Sequence, residues 1–153
     1  MSMQAEWKDR IRLWKDELKK LFYLPIGEID FEGFVTREQL NLETAAQRPR
    51  SPFLKGTQWG EAFEYGWFFG RFIVPETAAG KKLVLNMGFG TEGTVYVDGR
   101  VFGTYRADWV RYPHQYMCDL VLTGEAVAGQ IYDIAFEAYA GHGERLIMTG
   151  PLS

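Results

Sequence analysis

Trp7, Ile11, Trp14, Leu18 and Leu21 recur at intervals of four, three, four and three residues. That spacing places them on one face of a 3.6-residue period and predicts an amphipathic helix. Lys8, Arg12, Lys15, Asp16 and Lys19 fall mainly on the other faces, while Leu13 and Glu17 blur the stripe. Pro25 and Gly27 end the pattern. A helix of this length is marginal in isolation and needs something to pack on. We expect the sandwich described next to cover its C-terminal half, near Leu18, Leu21 and Phe22, and to leave the N-terminal half for another partner.

Residues 28–57 read as irregular, with a loop signal in Gln47-Arg48-Pro49-Arg50-Ser51-Pro52. From Trp59 the period changes to two. Gly66 to Val74 alternates Phe68, Phe72 and Val74 on one side with Trp67, Phe69 and Ile73 on the other, and stops at Pro75. Both sides are apolar, which predicts a central strand or one covered on both faces. Leu83 to Met87, Thr94 to Val97, Arg100 to Thr104, Leu120 to Leu122 and Ile131 to Tyr139 read as further strands. Asp98-Gly99 is the strongest hairpin signal in the chain. Glu125 to Ala128 is read as one helical turn. Short strands without alternating helices predict a mainly β protein, an antiparallel β-sandwich of jelly-roll type with an N-terminal amphipathic α-helix. The helix occupies residues 1–25 and the sandwich residues 26–150, one structural domain in all.

The aromatic share of 16% strengthens the β reading, and 46% hydrophobic with 24% charged residues is an ordinary globular balance. A net charge of −3 without a Lys/Arg block argues against nucleic acid as a partner. Acidic residues interleaved with basic ones on the first helix argue against a membrane surface. Met1 to Arg12 lacks the apolar segment of a signal peptide. Cys118 is the sole cysteine, so no intrachain disulfide can form, and a cytoplasmic location is the simpler expectation.

Candidate chemistry is sparse. Glu61, Glu64, Glu92, Asp98, Asp108 and Glu137 lie in or near the strands, but no pair is marked as an acid and its partner. His114 and His142 have no metal-ligand spacing. No serine sits in a nucleophile elbow, and Cys118 near His114 lacks an orienting third group. Gly88-Phe89-Gly90 reads as a turn. The sequence therefore names no catalytic residue, no metal ligand and no cofactor in this chain. The aromatics Trp59, Phe63, Tyr65, Trp67, Phe68, Phe69 and Phe72 read as core. The run Arg106 to His114 instead mixes aromatic and charged residues without period, as recognition loops do. Trp109, Arg111, Tyr112 and His114 are its candidate ligand or interdomain contacts. Trp7, Ile11 and Trp14 are the candidate helix interface.

Four stretches together resemble the N-terminal β-sandwich region of glycoside hydrolase family 38 α-mannosidases of the cytosolic/vacuolar type. They are the helix Arg10 to Phe22, Trp59-Gly60 with the strand Gly66 to Pro75, Glu92-Gly93 through Asp98-Gly99, and Glu137-Ala138-Tyr139-Ala140-Gly141-His142. The resemblance implies a galactose-binding-like jelly roll that precedes a catalytic domain. That later domain would hold a divalent metal and the aspartate nucleophile of a retaining mechanism. Ending at Ser153, the chain reads as a piece of such a protein, with Leu146 to Ser153 starting the linker onward. The implied partners are the catalytic domain of the same parent protein, a second copy in a homo-oligomer, and carbohydrate. The first functional reading is a non-catalytic accessory domain of an α-mannosidase. The alternative is an independent carbohydrate-binding module, and a small stand-alone enzyme ranks last.

Overall fold

The computed structural model describes residues 3–19, 21, 23–85, 91–106, 120–141 and 145–146. The N-terminal helix α1 spans Met3–Lys19. β1 (Phe31–Thr36), α2 (Leu42–Ala46) and β2 (Ser51–Phe53) follow. β3 (Gln58–Trp59) and the long β4 (Tyr65–Ile73) come next, then a single 3-10 turn at Glu76–Ala78. β5 (Leu83–Leu85), the hairpin β6 (Glu92–Val97) and β7 (Arg100–Arg106), β8 (Leu120–Thr123), β9 (Ile131–Tyr139) and β10 (Arg145–Leu146) complete the order.

Six strands form one antiparallel sheet in the order β2-β1-β4-β9-β6-β7. β5 pairs with β8, and β3 with β10, in two short antiparallel ladders. Side chains alternate across the large sheet. Its inner face sends Phe31, Phe68, Phe72, Val95, Ile134 and Phe136 into one cluster with Leu83 and Leu85 of β5 and Trp59 of β3. The core thus lies between the large sheet and the short ladders, which is the sandwich the alternation predicts. Phe68 sits at its centre, with Trp59 and Phe53 edge-on to its ring at 5.0 and 5.1 Å.

The expected hairpin is present. Asp98 and Gly99 both have positive φ, 51° and 78°, the type I′ geometry whose twist matches that of the flanking strands. Asp98 Oδ1 also accepts a hydrogen bond from the Asp133 N–H at 2.9 Å, tying the turn to β9.

Four expectations need correction. Residues 28–57 are not irregular but supply β1, α2 and β2. Glu125 to Ala128 is not helical: Ala126 is buried in the core, and its N–H and C=O bond Lys81 and Gly80 instead of a helical partner. Of the aromatics expected in the core, Phe63 has a φ of 64° in the turn before β4 and an exposed ring, and Tyr65 and Phe69 are only half-buried, on the outer face of the large sheet. Nor does the sandwich cover Leu18 and Leu21, which are 54% and 71% exposed; Phe22, Met87 and the Gly88-Phe89-Gly90 turn lie outside the described residues.

Candidate functional site

The outer face of the six-stranded sheet carries the most varied chemistry among the described residues. β4 points Tyr65, Trp67, Phe69 and Arg71 to this face, and register sets Glu137, Ala135 and Asp133 of β9 opposite the last three. β1 adds Phe34 opposite Trp67 and Glu32 opposite Phe69. β6 adds Tyr96 opposite Ala135. Trp67 is wholly buried here, its ring stacked between Phe69 at 6.2 Å and Tyr96 at 5.9 Å. Tyr65 and Tyr139 form a neighbouring ring pair at 5.0 Å.

The helix α2 closes one side of this face. Asn41 caps it, its side-chain oxygen accepting from the Thr44 N–H at 2.8 Å. Ala45 is buried, while Leu42 and Ala46 look onto a concavity of about 650 Å³ floored by Phe69 and Ala135. Arg50 reaches over that floor. Its guanidinium donates to the Ala46 carbonyl at 2.8 Å and lies 3.7 Å above the Phe69 ring, a cation–π contact. At the far wall Arg71 donates twice to Asp133, at 2.7 and 3.4 Å, and the carboxylate holds the guanidinium above its usual range. Asp30 and Glu32 line the groove without an ion-pair partner among the described residues.

Beside the groove, burial pushes the Glu137 carboxyl above the ordinary carboxylate range, opposed by a hydrogen bond from the Tyr96 hydroxyl at 3.4 Å. Burial, and then the nearby Glu137 charge, push the Tyr96 phenol up. Among the described residues no group of three or more His, Cys, Asp or Glu side chains is placed to hold a metal ion.

The sequence-named recognition residues Trp109, Arg111, Tyr112 and His114 lie outside the described residues, as do Asp108, Cys118 and His142. Trp7, Ile11 and Trp14 lie on α1, 58%, 60% and 76% exposed. Of the six strand-region carboxylates, Glu61 and Glu64 meet at one turn, where the Glu64 carboxylate accepts from the Glu61 N–H at 2.8 Å and both approach Arg37. That is turn structure. The groove residues Asp30, Glu32 and Arg50 went unnamed because they sit in the segment read as irregular. Their signal was the alternation of β1, Phe31-Glu32-Gly33-Phe34-Val35, which brings Glu32 to the outer face.

The fold is an antiparallel β-sandwich with its core between a six-stranded sheet and short ladders. The chain belongs to the family of α-mannosidase jelly roll domains, whose sequence profile matches residues 28–145. The match runs from just before β1 to the first residue of β10 and leaves out α1, including the stretch Arg10 to Phe22. A comparison with curated proteins matched none of them. No helix among the described residues is long and apolar enough to cross a membrane.

Proposed function

We propose that this chain is the non-catalytic N-terminal accessory domain of a metal-dependent retaining α-mannosidase of glycoside hydrolase family 38, located in the cytoplasm. Its fold is of the galactose-binding-like kind. The observation that carries the reading is the family match across the whole sandwich. A second feature supports it: α1 presents Trp7, Ile11 and Trp14 to solvent, a stripe suited to packing against a catalytic domain or a second subunit. In this role the sandwich supports the catalytic domain, and the divalent metal and nucleophile belong to that domain.

The test has two arms. The purified chain, offered an aryl α-mannoside with or without zinc, calcium or cobalt, is expected to show no turnover. In the full reading frame, deletion of residues 28–145 is expected to lower the yield of soluble active enzyme, with recovery when the chain is co-expressed. Metal-dependent turnover by the chain alone, lost on mutating a single carboxylate, would overturn the proposal.

A further inference from the structure

We infer that the outer face of the large sheet, from the groove beside α2 to Ile73 and Ile131, seats the α1 helix of a second copy of this chain. The inference goes beyond the accessory role and does not depend on it. Two open surfaces carry it. On α1, Trp7, Ile11, Trp14 and Leu18 form one stripe and are each more than half exposed. On the sheet, register sets Phe69 opposite Ala135, Arg71 opposite Asp133 and Ile73 opposite Ile131. Both isoleucines are exposed, and so is the ion pair beside them. The two surfaces belong to one chain, yet both stay open in it, so α1 does not fold back over its own sheet.

Their dimensions match. The stripe from Trp7 to Leu18 is about 16 Å long at 1.5 Å per residue. The floor from Phe69 to Ile73 is about 13 Å long at 3.3 Å per residue, so α1 laid along β4 covers it from end to end. At one end Leu42, Ala46 and the exposed Arg50 border a concavity of about 650 Å³, deep enough for an indole. The Arg50 guanidinium, 3.7 Å from the Phe69 ring, can take that indole on its other side as a second cation–π contact. At the other end Ile73 and Ile131 offer aliphatic surface. Exchange of both helices between two copies closes the assembly with two identical contacts. A buried aromatic removes about 150–250 Å² from water. The tryptophans of two helices and the faces they cover therefore approach the roughly 1,200 Å² at which specific interfaces begin.

Charge selects the orientation and the partner. Lys8 and Lys15 each follow a tryptophan and line one flank of the stripe, about 10 Å apart. Glu32 lies beside Phe69 on β1, and Asp30 precedes it by two residues on the groove wall. Both carboxylates are exposed and have no ion-pair partner among the described residues. With its lysine flank toward β1, the helix sets two cations against these two anions. Pairing α1 with a second α1 is less favourable. Antiparallel, it sets Lys8 against Lys15, with Arg10 against Glu17 as the offset; parallel, it sets Arg10 against Lys15.

The experiment uses the full chain and its charge-reversed variants. Sedimentation equilibrium over rising concentration should show a reversible dimer. Asp30→Lys with Glu32→Lys, and separately Lys8→Glu with Lys15→Glu, should each weaken it about ten-fold or more, as two surface pairs turn repulsive. The chain carrying all four changes should regain most of the affinity, and every variant should keep the parent Tm. Carbodiimide coupling of mixed isotopically heavy and light chains should join Lys8 or Lys15 of one kind to Asp30 or Glu32 of the other. A monomer at every concentration would overturn the inference. So would a dimer indifferent to reversal of Asp30 and Glu32, the result expected if α1 pairs with α1, and so would reversal without rescue. Links confined to one chain would mean that α1 closes on its own sheet, and would overturn it too. None of these results bears on turnover or on recovery of the deleted enzyme, so failure here is distinct from failure of the accessory-domain reading.

Discussion

Glu137 lies directly across the β4–β9 ladder from Trp67, which sets a half-buried carboxyl opposite a wholly buried indole. Burial raises the Glu137 pKa, and the hydrogen bond from Tyr96 only partly opposes it. The folded state therefore holds the Glu137 proton to higher pH than the unfolded chain does. The stability linked to that proton is fully present below the unfolded carboxylate pKa, about 4.3. It is lost as pH rises through the higher folded value. Urea midpoints of the parent and Glu137→Gln should diverge across this window, the parent falling relative to the variant as pH rises. Parallel curves from pH 3.5 to 7 would contradict the assignment. Tyr96→Phe removes the opposing hydrogen bond and should move the parent's loss to still higher pH.

Trp67 gives the second prediction. It is buried between Phe69 and Tyr96 on the face away from the main core, and α2 borders the same face. Trp67→Ala should cost about 3–5 kcal/mol, the range for deleting a buried large aromatic. The loss of Phe69's stacking partner should also open the groove floor. Denaturant unfolding checks the first part. Weaker protection of the Phe69 and Arg71 amides in hydrogen exchange checks the second.

Much of the fold was legible because its strongest signals are local. β4 announces itself by nine residues of alternating apolar character, and Asp98-Gly99 needs only positive φ at two positions. β1 was missed for a tertiary reason. Gly33 looks like a strand breaker, yet it occupies a core-side position where any Cβ would collide with the Trp67 carbonyl and the Phe68 ring. Phe34 breaks the polar alternation because it faces Trp67 on the outer side. The groove was invisible for the same reason. Asp30, Arg50, Arg71 and Asp133 are brought together by strand order, which the sequence does not display. Trp7 and Trp14 were legible as a stripe, but nothing in their spacing said that the sandwich would leave Leu18 exposed as well.

The turn offers a sharp local test. Gly99 has φ of 78° with open space around its missing Cβ, so strain rather than collision governs a substitution there. Gly99→Val should destabilise by about 1–3 kcal/mol, since a β-branched residue is a steric outlier at positive φ. Gly99→Asn, which tolerates the left-handed region, should cost much less. Asp98→Ala loses both that tolerance and the bond to the Asp133 N–H, about 0.5–1.5 kcal/mol for the bond alone. Chemical denaturation of the three variants would rank them Val, Ala, Asn from most to least damaging. Equal losses for Val and Asn would mean that the φ argument is wrong.

The last prediction concerns α1. Trp7, Ile11, Trp14 and Leu18 are all more than half exposed, so the helix gains little from the sandwich. An isolated helix of 17 residues is marginal in water. The amides of residues 3–14 should therefore exchange among the fastest of the described helices and strands, even where the sandwich is fully protected. Trp7→Lys with Trp14→Lys should change global stability by no more than about 0.5 kcal/mol, because surface substitutions without buried contacts rarely do more. The same double variant should abolish whatever self-association the chain shows at high concentration. Sedimentation equilibrium measures that association, and exchange in dilute solution measures the fraying. A proven monomer that protects both Trp7 and Trp14 fully would show that the helix has a partner within its own chain. It would remove the case for packing against another domain and favour a self-sufficient module.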